Sequence, residues 1–202
     1  MANNKKFRIL ALDPGLTTTG WSILDRDYDT GNLTVIKTGE MHPSPTVDKK
    51  NYRDEVERYD KRTMSLTVLR EEVTKLITTF SPDAISCEDA FINPKRPAAY
   101  GALCMIICTV KLLCRDIARK PLIVIPTKIA KLEMTHSGSS GKYDVISAVS
   151  SNPHIVFKDE IEKSQMSEHV ADSIAVAYAF SRRYTDLINL EIDLRTTNQG
   201  AK

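Results

Sequence analysis

The chain has 202 residues, of which 42% are hydrophobic and 27% charged, and its formal net charge is +2. This is the composition of an ordinary globular domain with a real core, and it excludes collagen-like, disulfide-framed and charge-driven disordered chains. A pI near 8.3 is too weak to mark a dedicated nucleic-acid binder, so any such surface must come from local clustering.

Residues Phe7 to Leu12 read as a short strand ending in Asp13-Pro14-Gly15. Gly20 to Leu24 and Leu33 to Thr38 read as two more, joined by the turn Asp29-Thr30-Gly31-Asn32 in an antiparallel meander. Gly39 to Tyr59 reads as a long polar loop passing into a helix. That helix runs from about Tyr52 to Phe80, with Pro82 behind it. Ala84 to Glu88 is a strand that delivers an acid at its end, and Asn93 to Pro97 a loop.

Ala98 to Arg119 reads as a helix that is apolar on nearly every face. It lies either in the centre of the core or against a partner subunit, which makes a homodimer an expectation. Even so, no apolar run is expected to approach the ~20 residues that cross a bilayer. Met1 to Arg8 shows no signal-like pattern, so the chain is expected to be cytoplasmic, with no membrane partner. Cys87, Cys104, Cys108 and Cys114 lack the spacing of a zinc site and read as small core hydrophobes.

Leu122 to Ile125 is a buried strand, Thr127 to Leu132 a short helix, His136 to Gly141 a flexible loop and Tyr143 to Ser151 another helix. Ser167 to Tyr184 is the last expected helix, followed from Asn189 by a polar tail. The order of elements predicts an α/β domain at 1–188, a mixed five-stranded sheet flanked by helices, with 189–202 as its tail.

Three acidic positions stand out together. Asp13 and Glu88 end strands that can lie side by side, and sites of α/β sheets assemble at strand ends. His169 and Asp172, three apart, share one face of the last helix. Taken singly, Asp13 is a turn residue before Pro14, Glu88 a strand-end acid and His169 a surface histidine. Asp172 is harder to dismiss, because Val170, Ala171, Ile174 and Ala175 bury that helix, and a buried aspartate needs a partner. Clustered carboxylates repel one another, and a hard divalent cation relieves them. Oxygen-rich sites with one nitrogen suit Mg2+ or Mn2+, and a pair of such ions can cut a phosphodiester.

The segment I-L-A-L-D-P-G-L-T-T-T-G-W-S-I-L, residues 9–24, resembles the opening motif of RuvC-type Holliday junction resolvases, members of the RNase H-like superfamily. A-I-S-C-E-D-A-F (84–91) is similar to their second acidic motif, and H-V-A-D-S-I-A-V-A (169–177) to their C-terminal acidic helix. Lys131 and S-G-S-S-G-K, ending at Lys142, resemble their basic motif. The four motifs occur in order over most of residues 7–184. Gly39–Tyr59 and Lys158–Ser167 look longer than in the bacterial form. Small divergent members occur in bacteriophages, which makes a phage origin compatible with the chain.

The resemblance implies an RNase H-like fold, a homodimer, and magnesium-dependent paired nicking of four-way DNA with two ions in each site. It implies that Asp13, Glu88, His169 and Asp172 hold the metals, that Lys142 approaches the scissile phosphate, that Lys131 binds backbone and that Phe91 stacks on unpaired bases. Lys95 and Arg96 are candidates for further DNA contacts, as are Arg115, Arg119 and Lys120. Physically, lysine is a suitable point charge for phosphate, and an aromatic ring holds an unstacked base. The bland readings are a solvated helix-start lysine for Lys142 and a core ring for Phe91. Competing functions are a broader branched or flap DNA nuclease, an RNA–DNA hybrid nuclease, half of a sugar-kinase or actin-like ATPase, and a non-catalytic junction binder.

Overall fold

A computed structural model describes residues 6–49, 52–92, 94, 97–158 and 163–199. Its centre is a six-stranded sheet in the order β5-β4-β1-β2-β3-β6. Strands β1 (Lys6–Asp13), β2 (Thr19–Asp27) and β3 (Leu33–Met41) form the expected antiparallel meander. Strands β4 (Ala84–Glu88) and β5 (Leu122–Ile125) extend it in parallel beyond β1. The sixth strand, β6 (Ile155–Phe157), corrects the expected count of five. It pairs in parallel with Leu33–Val35 at the sheet edge, and three residues are too few to show alternation in sequence.

Side chains alternate between the two sheet faces, and the two faces carry separate cores. Leu10, Leu12, Ile23, Ile85 and Cys87 pack against α3 (Lys61–Phe80) and α4 (Pro97–Leu113). Ile9, Ala11 and Leu24 pack on the opposite face. That face is covered by α5 (Thr127–Thr135), α6 (Lys142–Ser151) and α7 (Glu168–Arg183). Continuing the alternation, Asp13 and Glu88 fall on the α7 side.

Three sequence expectations change, and one that was open is narrowed. The segment before Phe80 holds three helices, α1 (Pro43–Lys49), α2 (Arg53–Tyr59) and α3, instead of a loop and one helix. The break lies at Asp60, whose φ of 68° interrupts the helix while its carboxylate accepts from Thr63 N at 2.9 Å. The stretch from Asn189 belongs to α8 (Thr185–Gln199). Ile188 and Ile192 are buried, and Asn189 Oδ1 accepts from the buried Arg26 at 3.0 Å. Helix α4 is buried on one side only. Ile106, Ile107, Val110 and Leu113 face inward, while Met105, Cys108 and Leu112 are exposed.

Finally, Pro97–Ala118 contains an 18-residue stretch with a mean hydropathy of 1.8 and is long and apolar enough to cross a bilayer, contrary to the sequence expectation. Its inner side is nevertheless packed into the protein core, and its last turn widens into a π-type turn at Cys114–Ala118.

Candidate active site

The two central strands carry their acids to the same end of the sheet. Leu12 pairs with Cys87, so Asp13 and Glu88 leave neighbouring parallel strands side by side, each 8% exposed. Helix α7 crosses above them. It approaches closely because its inner residues are small, with Ala171, Ser173, Ala175, Ala177 and Ala179 all buried. Gly20 on β2 permits the contact, since a Cβ there would stand 2.1 Å from the His169 carbonyl oxygen. Ser167 caps the helix by accepting from Val170 N at 3.2 Å and donates to Glu40.

A cleft of 540 Å³ results, lined by Asp13, Glu88, Phe91, Lys131, Lys142, His169 and Asp172 among others. The structure thus gathers seven of the twelve residues singled out from the sequence. Lys95 and Arg96 lie outside the described residues. Arg119 and Lys120 line a different hollow, beside Phe7 at the far end of β1 from Asp13, and Arg115 pairs with Asp116 at 2.7 Å. A larger depression of 760 Å³ lies against α5, α6 and α7, but Asp144 is the one acid among its lining residues, so size alone does not pick out the site.

His169 Nδ1 and Asp13 Oδ2 are 2.7 Å apart, and this hydrogen bond raises the imidazole pKa above its ordinary value. Glu88 is pushed up to about 8, first by burial, then by the Asp13 and Asp172 charges. Asp172 rises to about 6, again by burial first and by Asp13 second. Three carboxyls therefore share a space that disfavours their simultaneous ionisation. The Thr127 hydroxyl eases ionisation of Glu88, yet it is buried with no partner in hydrogen-bond geometry.

This donor set has the chemistry of a divalent-cation site: hard oxygens, one imidazole, and excess negative charge. Among the described residues, however, no three such side chains form a finished coordination shell. The Asp13–His169 bond engages one oxygen of Asp13 and one ring nitrogen of His169, leaving Oδ1 and Nε2 as the atoms that could face a cation.

The two lysines are held differently. Lys131 Nζ donates to the Ser140 carbonyl at 2.9 Å, across the loop that leads to α6. Lys142 opens that helix, as its bland reading anticipates, but its ammonium meets Glu168 Oε1 at 2.6 Å. Phe91 is 49% exposed at the cleft, which removes the core reading of that ring. Sequence reasoning missed Glu168 and Thr127. An acid in the first turn of a helix reads as ordinary dipole compensation, and the threonine carries no motif.

No family model matches the chain. A crossover junction endodeoxyribonuclease RuvC from Wolbachia sp. subsp. Brugia malayi is 29% identical over 173 residues, which is 84% of this chain and 91% of that protein. The Thermus thermophilus RuvC structure superposes with a TM-score of 0.66 at 16% identity, covering 90% of this chain and 96% of that one. T. thermophilus RuvC in complex with a Holliday junction substrate gives 0.64 at 15% identity, covering 91% and 98%. In sequence the chain is similar to proteins named crossover junction endodeoxyribonuclease RuvC, and in fold it is similar to the RuvC structures.

Proposed function

We propose that the protein is a structure-specific DNA endonuclease that resolves four-way junctions by paired nicks. The observation that carries this reading is the convergence of Asp13, Glu88, His169 and Asp172, with Lys142 and Phe91, in one cleft at the sheet's strand ends. The relatives' names supply the substrate class. In this reading the protein works on DNA in the cytoplasm.

Asp13, Glu88, His169 and Asp172 would hold two divalent ions, Mg2+ or Mn2+. When bound, such ions supply the positive charge that activates water and steadies the leaving oxygen in phosphodiester hydrolysis. The chain's own groups supply the rest. Glu88, which burial and the neighbouring acids keep protonated at neutral pH, would give up its proton to serve as a ligand, while Asp172, raised only to about 6, is largely ionised already. Lys142 meets the phosphate as a point charge. Lys131 holds the Ser137–Gly141 loop that presents Lys142, in addition to the backbone contact its motif implies. Phe91, exposed at the rim, stacks on an unpaired base near the crossover.

Two like strands need two like sites, which a two-fold dimer provides. Gly101, Met105, Cys108 and Leu112 recur at helical spacing on the exposed side of α4. We assign this stripe to the second copy, as the seam between two antiparallel helices.

Asp13→Asn tests the reading. It should abolish junction cleavage in Mg2+ while leaving junction affinity within about threefold, because phosphate contacts dominate binding. Retained cleavage would take Asp13 out of the site.

A further inference from the structure

Among the described residues, Glu168 is the one ionisable residue lining the cleft that the proposed chemistry leaves without a task. An acid at the start of a helix stabilises that helix on its own account. Here the carboxylate does more, because it reaches to a different helix. Its Oε1 stands 2.6 Å from Lys142 Nζ on α6 and 3.7 Å from His169 Nε2 on its own helix.

The Lys142 backbone is already fixed. Val145 and Val149 of α6 are buried in the same core as α7, Gly141 N donates to Asp144 at 2.8 Å, and Lys131 grips the Ser140 carbonyl. The Lys142 side chain is not fixed by packing, since it is 66% exposed. A free lysine stem samples many rotamers. Glu168 is the contact that gathers it, with Asp172 and Asp13 attracting the ammonium from inside the cleft.

We propose that Glu168 is a positioning residue: its carboxylate holds the Lys142 ammonium at the mouth of the acidic cleft before a DNA phosphate arrives. This rests on the reading of Lys142 as the phosphate-contacting lysine. Two consequences have opposite signs. Orientation of Lys142 favours the chemical step. A carboxylate at a surface facing DNA opposes binding of the polyanion. A purely structural role for Glu168 has no reason to separate rate from affinity in this way.

The test is Glu168→Gln, which keeps size and removes charge. In single-turnover cleavage of a labelled four-way junction at saturating enzyme, the rate should fall about tenfold, while the junction Kd stays equal or tightens. In a Lys142→Ala background, Glu168→Gln should slow cleavage no further. Mn2+ binding to the DNA-free protein, read by calorimetry, should match the unsubstituted chain, and the urea midpoint should fall only by the small amount that loss of a first-turn acid implies. A wild-type rate in Glu168→Gln beside a slow Lys142→Ala would overturn the proposal alone. Additive losses in the double variant, or weakened Mn2+ binding, would overturn it too. Normal cleavage by Lys142→Ala would remove the reading of Lys142 and this proposal with it.

Discussion

Replacing Glu88 with glutamine should make the metal-free protein more stable, by an amount that grows with pH. In the folded chain Glu88 titrates at about 8, against an ordinary 4.5. Between those values the folded state keeps a proton that the unfolded state releases, so stability falls as pH rises through that window. Glutamine carries no such proton and escapes the loss. Each pH unit is worth about 1.4 kcal/mol, so the gain is near zero at about pH 4.5 and ~3 kcal/mol at pH 7. The side chain is 8% exposed, so solvent screens little of this. Urea unfolding in a chelator, from about pH 5 to about pH 8, reads the difference directly. Saturating Mg2+ should then narrow or reverse it, because the complete carboxylate set gains ~2.7 kcal/mol at a hundredfold excess over Kd. A difference that stays flat with pH would refute the electrostatic reasoning.

Phe91→Ala should slow junction cleavage more than it weakens binding, because the ring is exposed at the cleft and a stacked base contributes ~1–3 kcal/mol. Unchanged turnover would make the ring incidental. Leu112→Asp places a charge in the exposed stripe of α4 and should give a monomer by light scattering, with cuts no longer paired. A dimer that survives the substitution would move the interface elsewhere.

The site was legible in sequence because it is built from strand ends and one helix face. The alternation along β1 fixes the side on which Asp13 leaves the sheet, and the small residues around Asp172 announce a helix pressed onto that sheet. What could not be read depends on contacts made across the fold. Asp60 breaks a helix through its own backbone angle and a bond to Thr63, in a run whose periodicity continues past it. The C-terminal helix looked like a polar tail because its anchoring residue, Asn189, is polar, and the buried Arg26 it serves lies on β2. Helix α4 is apolar all round, which says nothing about which side the protein itself covers. Glu168 acquires meaning only through Lys142, 26 residues away.

The most direct test of the central claim is cleavage of a labelled four-way junction beside a matched linear duplex and a flap, with and without Mg2+, with the cut positions mapped on all strands. The account predicts Mg2+-dependent nicks at symmetric positions on two like strands of the junction, and an intact duplex and flap. Equal cutting of the flap would replace the resolvase by a broader branched-DNA nuclease, and tight junction binding without cutting in either Mg2+ or Mn2+ would contradict a catalytic site built on Asp13, Glu88, His169 and Asp172.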